Sequence, residues 1–410
     1  MELGTLCKVT PGTQASWNPL RCGGTALPTP LLLMAKLVAV TYMLGTDRVM
    51  PVPFLPFLTP LDAFAGSFAF AAVLQILFYV SGLLLIFNRW PRASALVMGC
   101  VALTAVVSSK AYYGNNKLCA GTLLFLAGLY HPRTGPWLLR LQLAIVYFGA
   151  GLNKAFDPDW HSGQFFHHWG GERLAQPLYL WASALFPPLV LAKVVSWFTI
   201  VTELGLAVAF LIPRAWPVAI WVSLLFHASL LEFTGSTFNM FFYAMEAAVL
   251  AFAIWPRELI VIFDGDCGIC NRIREWLQRL DFEGGAFAWK TLQSGVGDRF
   301  GIPRAALEER LHLAADGRVS SGFRACKLML LYNPAFYLTV AVLLAAPGNA
   351  AWASWWRRIV VALLLAFFFP LFNPIGERAY DWVARNRYRF SSDGGACAIE
   401  PGSGGATQPR

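Results

Sequence analysis

The strongest constraint on this chain is a series of apolar runs that fills residues 31 to 254. A backbone inside hydrocarbon must satisfy its own N–H and C=O groups, and a helix does so at 1.5 Å per residue across about 30 Å. Runs long enough for this, or nearly so, lie at roughly 31–45, 67–87, 93–109, 118–131, 137–153, 193–212, 215–232 and 238–254. They predict an α-helical polytopic membrane bundle of about eight spans. The run 178–192 is broken by Pro187 and Pro188, so it is expected to be interfacial or re-entrant. Composition agrees, with 57% hydrophobic and only 13% charged residues, where soluble domains carry about a quarter charged.

The formal charge of +9 would suit nucleic acid, but the basic residues sit mainly at the ends of apolar runs, where they anchor spans in membrane lipid. No nucleic-acid partner is expected. With the N-terminus inside, Lys8, Arg21, Arg89, Arg92, Arg133, Arg140, Arg214 and Arg257 mark inner ends, against Arg48, Lys110, Lys117, Lys154, Arg173 and Lys193 outside. Arg357, Arg358, Arg378, Arg385, Arg387 and Arg389 flank the run 359–372 on both sides. That run is therefore expected to lie at the surface rather than cross, which puts residues 256–410 on the cytoplasmic side. Residues 1–30 form an N-terminal segment without the pattern of a cleaved signal peptide. Residues 391–410, rich in Gly, Ser and Pro, read as a disordered tail.

After Glu258 the period of the apolar residues changes. "LIVIF" (259–263) suits a buried strand, and Ile269, Ile273, Trp276, Leu277 and Leu280 then share a helical face. "AFAWKTL" alternates as a strand, 303–310 reads as a short helix, "LHL" and "RVS" flank the turn "AADG", and 323–332 reads as a helix. The order is strand, helix, strand, helix, hairpin, helix, as in a C-terminal α/β thioredoxin-like domain. Cys267 and Cys270 fall where the first strand turns into its helix.

A helix start offers unpaired N–H groups and a positive dipole end, which stabilise a thiolate and lower its pKa below the free value of roughly 8.5. Cys267, nearer the helix start and expected to be the more exposed, would attack a disulfide, and Cys270 would resolve the mixed species. Asp264 and Asp266 act in the opposite sense. Two alternatives stay open on the residues alone. One is half of a metal site, although His312 is alone in this segment and no metal is expected; the other is a pair of inert buried thiols. The eight cysteines form no secreted disulfide framework.

"FDGDCGIC" resembles the signature of the DCC family of thiol-disulfide oxidoreductases (DUF393), carried here by Asp264, Gly265, Cys267 and Cys270, and "YDWVARNRYRF" (380–390) is similar to that family's closing helix. The likeness covers about 256–390. It implies a thioredoxin-like protein-disulfide reductase acting on a protein or small-molecule disulfide or thiol. Unlike thioredoxins proper, the chain has no proline before the third strand, at Glu308 to Arg310.

The most polar stretch of the bundle is "YFGAGLNKAFDPDWHSGQFFHHW" (147–169), where an apolar run meets Asn153, Lys154, Asp157, Asp159, Trp160 and His161. Lys36, Glu203, His227 and Glu246 lie within other runs and are expected to line a polar pocket with them. For Lys154 a snorkelling anchor is the plainer reading, His167 and His168 read as interfacial side chains, and for Glu203, His227 and Glu246 hydrogen bonds that hold the bundle are as good a reading as chemistry. "YFGAGLNKAFDPDWHSG", "FTIVTELGLAVAFLIPR" and "FHASLLEF" are similar to the HTTM, or vitamin K-dependent gamma-carboxylase-like, transmembrane family over about 30–255. That likeness implies that Lys154 is the base acting on a quinone or vitamin K hydroquinone. The chain lacks the extended luminal region of the carboxylases, so a quinone pocket is the surviving expectation.

Taken together, residues 31–255 are expected to form an HTTM-like transmembrane domain and 256–390 a DCC domain, in a bacterial inner membrane. The expected activity is thiol-disulfide exchange at Cys267 and Cys270, coupled to a quinone-type ligand. The alternatives are a carboxylase-like modifying enzyme centred on Lys154, and a non-enzymatic transporter or assembly factor.

Overall fold

The computed structural model describes residues 17–45, 67–108, 112–234, 239–280, 287–345 and 351–386. The tail expected to be disordered, the first residues of the N-terminal segment and the end of the closing motif lie outside them. The chain divides into two compact units, one of residues 1–255 with 332–365 and one of 256–331 with 366–410.

The first unit is helical. Its long elements are α1 (Thr29–Leu44), α2 (Phe68–Ile86), α3 (Pro91–Ser108), α4 (Asn115–Gly128) and α5 (Trp137–Phe156). The short helices α6 (Pro158–Ser162) and α7 (Gln164–His167), a π-helical turn (His168–Arg173) and α8 (Pro177–Ser183) follow. Then come α9 (Val190–Leu211), α10 (Trp216–Thr234) and α11 (Asn239–Ala248), which continues as a 3-10 turn to Phe252. Helix α1 is central: Leu31–Ala39 are all buried, and it packs on α2, α4 and α11. Ser67 caps α2 by accepting the Phe70 N–H at 3.3 Å, one of the donors a helix start leaves open.

Helices occupy all eight of the expected runs, but among the described residues only α2 and α9 are individually long and apolar enough to cross a membrane. The helix pair 359–368 and 370–386, bent by 68° at its break, raises the number to three if it is one span. Length accounts for part of the shortfall: a helix of 14 residues such as α4 covers only about 21 Å at 1.5 Å per residue. Outward-facing Val73, Ile76, Val80 and Leu83 of α2, and Val194, Phe198, Val201 and Val208 of α9, are exposed. Apolar surface on that scale is stable only against lipid or another partner, and the chain is a membrane protein. Between α8 and α9 residues 184–189 leave the helix, with Leu189 at φ 65°, so no continuous helix spans the run 178–192.

In the second unit β1 (Leu259–Phe263) leads into α12 (Gly268–Leu280), then β2 (Ala288–Thr291), α13 (Val296–Arg299) and α14 (Arg304–Glu309). The hairpin β3 (His312–Ala315) and β4 (Arg318–Ser321) and helix α15 (Gly322–Leu331) complete the expected order. The small mixed sheet runs β2-β1-β3-β4, with β1 parallel to β2 and antiparallel to β3. Asp316 and Gly317, at φ 45° and 79°, make the two-residue turn that matches strand twist. All of β1 is buried, as a central strand covered on both faces requires. Ile260 and Ile262 pack with Leu292, Ile302 and Leu307 on one face, while Val261, Phe263 and Leu313 are buried on the other.

The insertion α16 (Pro334–Ala345) and α17 (Ala351–Phe368) separates this core from α18 (Asn373–Asn386), the closing helix. Arg310 pairs with Glu377 at 2.9 Å and with Asp381, and the Leu311 N–H donates to the Tyr380 hydroxyl at 2.8 Å. These contacts tie α18 to the start of β3.

Candidate functional site

The turn Asp264–Asp266 carries the chain from the end of β1 into α12 and shapes the site. The Asp266 N–H donates to Asp264 Oδ1 at 3.1 Å, and the Cys267 N–H to the Asp264 carbonyl at 3.4 Å. The Cys267 carbonyl then accepts from the Asn271 N–H at 3.0 Å, so Cys267 holds the capping position of α12. Its side chain behaves as a cap, with the Cys270 N–H donating to Cys267 Sγ at 3.3 Å. The Cys270 thiol donates to the same sulfur at 2.6 Å. Neither cysteine is in a disulfide.

One expectation is overturned. Cys267 is 0% exposed and Cys270 is the partly accessible member of the pair. The cause is the cap itself: a side chain that turns in to meet the N–H of the first helical turn is withdrawn from solvent by the same rotation.

Two side chains not anticipated from the sequence hold the turn. Asn271 Nδ2 donates to the Gly265 carbonyl at 2.6 Å and to the Cys267 carbonyl at 3.3 Å. Gln293 Nε2 donates to Asp266 Oδ2 at 2.9 Å and to Asp264 Oδ1 at 3.5 Å. Gly265 makes room for this, since a Cβ there would stand 2.9 Å from Thr291 Cγ2 and 3.1 Å from Gln293 Oε1. A polar residue just past β2 was the available signal, but only the β1–β2 register, with Phe263 opposite Thr291, brings it to the cysteines. On the other side of the sheet the backbone of Leu311 is engaged at both ends: its N–H goes to Tyr380, and its carbonyl accepts from Gly322 at 3.0 Å.

Two other titratable groups of this unit, Cys326 and His312, are shifted by burial. Burial, reinforced by the Glu377 charge, pushes the Cys326 thiol up to about 11. Burial also lowers the His312 pKa, against the raising effect of its hydrogen bond to the Arg310 carbonyl. Among the described residues no group of three or more His, Cys, Asp or Glu could hold a metal ion.

In the first unit the expected polar residues fall into two hydrogen-bonded groups. Lys154 Nζ donates to both Glu203 oxygens, at 2.8 and 2.9 Å, and stands 5.2 Å from the Trp160 ring centroid. Gly151 permits the approach of α9, because a Cβ there would lie 2.9 Å from Leu204 and 3.2 Å from Glu203 Cβ. A second cluster joins Tyr147, Ser223, His227 and Glu246. Tyr147 OH lies 2.7 Å from Ser223 Oγ and 3.4 Å from His227 Nδ1, which lies 2.6 Å from Glu246 Oε1. Tyr147 and Ser223 were missed because a hydroxyl within an apolar run carries no signal of its own.

Four residues expected near this pocket do other things. Lys36 is fully buried and donates to the Pro19 and Arg21 carbonyls, each at 2.6 Å. His161 Nε2 sits 2.6 Å from the Ala155 carbonyl, with its ring stacked on Trp197. Asn153 and Asp159 are exposed. His167 and His168 meet Tyr179 and Glu172 respectively.

Comparison with known families is informative for both units. Residues 130–255 match the family model of the HTTM domain, and residues 261–362 match that of DCC1-like thiol-disulfide oxidoreductase. No curated protein and no solved structure matches the chain.

Proposed function

We propose that this chain, an HTTM domain followed by a DCC1-like thiol-disulfide oxidoreductase domain, is a membrane-anchored enzyme that exchanges disulfides at Cys267 and Cys270. The observation that carries the reading is the cap geometry, with the Cys270 N–H on Cys267 Sγ and the two sulfurs 2.6 Å apart. A backbone N–H aimed at a sulfur favours its anion. Accessibility favours Cys270 for first contact. With Cys267 as the capped thiolate, the Cys270 proton passes to Cys267 Sγ and the Cys270 thiolate attacks a substrate disulfide, forming a mixed disulfide and releasing one substrate thiolate, which takes the proton from Cys267. Cys267 then attacks Cys270 Sγ, closing the internal disulfide and releasing the second thiolate. Two electrons leave the pair, the released thiolates take up protons, and an external dithiol restores the starting state.

The test uses the full chain in detergent with glutathione disulfide and a mass-shift thiol assay. The pair should oxidise with loss of two alkylatable thiols, and Cys267→Ser should trap a glutathione adduct on Cys270. A pair that stays reduced under excess disulfide refutes the reading. A trap that forms only on Cys267, in a Cys270→Ser variant, refutes the order of attack.

The proposed fold of the second unit is thioredoxin-like, supported by its element order and the sheet order β2-β1-β3-β4. The proposed setting is a bacterial inner membrane with eight spans and the cysteine pair on the cytoplasmic side. Helices at eight apolar runs and the distribution of Lys and Arg support it.

A coupled quinone-type ligand in the first unit is favoured by one observation: Glu246 Oε2 is a buried oxygen with no hydrogen-bond partner. Glu246 Oε2 would accept from a quinol hydroxyl, and the Lys154 ammonium would donate to a ring oxygen. When bound, the ring would supply a two-electron acceptor or donor. Added quinone should then alter the redox state of Cys267 and Cys270, and Lys154→Ala should abolish that response without affecting exchange with glutathione disulfide.

A further inference from the structure

We infer that Gln293 is a positioning residue for the Cys267–Cys270 pair, engaging the two carboxylates of the turn so that their charge opposes the thiolate less. The inference rests on the proposed exchange at that pair.

Asp266 is adjacent to Cys267 in the chain, and Asp264 lies three residues before it. Negative charge so close raises a thiol pKa, whereas N–H donors lower it. The turn needs both aspartates in place, because Asp264 Oδ1 closes it through the Asp266 N–H. Gln293 answers this conflict with a neutral amide. One nitrogen reaches Asp266 Oδ2 at 2.9 Å and Asp264 Oδ1 at 3.5 Å. A glutamate at this place would add a third negative charge. Asn271 holds the carbonyls of the same turn from the other side, so the two amides have divided the work, one on the backbone and one on the charges. Gly265, where a Cβ would crowd Gln293 Oε1, keeps the path open.

Gln293 is exposed, so replacing it removes no core packing. In the full chain, Gln293→Leu should move the pH midpoint of Cys270 alkylation upward by about one unit. Alkylation would then be about tenfold slower below the midpoint, with the high-pH plateau rate unchanged. Gln293→Glu, of the same size, should move the midpoint further in the same direction. Adding Asp266→Asn to Gln293→Leu should return it toward wild type, because the unscreened charge is gone; a purely structural role for Gln293 would not be rescued in this way. An unmoved midpoint in both single variants, or no rescue in the double, overturns the inference. Failure of the wild-type pair to exchange with glutathione disulfide would count against the proposed function instead.

Discussion

The ion pair between Lys154 and Glu203 makes a quantitative prediction about the membrane unit. At 2.8 Å two unit charges attract by about 6 kcal/mol at an effective dielectric of ~20. Desolvation takes back much of this, since the side chains are only 19% and 9% exposed. Removing one partner leaves the other charge enclosed, so the loss exceeds the net contribution of the pair. Lys154→Met should destabilise the protein by about 3–4 kcal/mol, because it strands the more enclosed carboxylate. Glu203→Gln, which leaves an acceptor for the ammonium, should cost about 2 kcal/mol. The double variant should lose no more than either single, giving a coupling of at least about 3 kcal/mol. Denaturant unfolding in detergent micelles, followed by near-UV circular dichroism, measures the cycle. A coupling below about 0.5 kcal/mol, the range of exposed pairs, would refute the reasoning that this pair ties α5 to α9.

Gly151→Val should cost about 1–3 kcal/mol of stability by pushing α9 away from α5, while Gly149→Ala, where a Cβ meets nothing within 4 Å, should be nearly neutral; the same unfolding assay compares them. His312, whose pKa is lowered in the fold by burial, makes the unfolded chain the stronger proton binder between its native value and the usual ~6.5. Stability of the second unit should therefore fall as the pH drops through that window. Hydrogen exchange of β3 at pH 7 and pH 5 measures this, and His312→Gln should flatten the slope. Cys326, raised to about 11, should resist iodoacetamide at pH 8 while Cys270 reacts, as read by peptide mass spectrometry; equal labelling would contradict its enclosure.

Much of the second unit was legible because local chemistry and global fold agree there. "LIVIF" can be only a buried element, "DG" within a polar stretch makes a two-residue turn, and the spacing of Cys267 and Cys270 sets one helical turn between them. The same spacing also carried the cap. Exposure did not follow from it: that Cys267 is enclosed and Cys270 accessible depends on how the side chain rotates in the cap, which no residue count contains. In the first unit every expected run became a helix, yet among the described residues length and hydropathy single out only α2 and α9. A run's ends in sequence are not the ends of its helix.

The order of elements, the membrane-seeking character of residues 31–254 and the juxtaposition of two thiols at a helix start were determined by the sequence alone, since each rests on contacts within a few residues or on bulk apolarity. Gln293 meeting Asp266 across 27 positions, and Lys154 meeting Glu203 across 49, were decided only by tertiary structure. Strand register and the close passage of two helices at Gly151 select those partners, and pairing energies of that kind depend on distances that one-dimensional order does not hold.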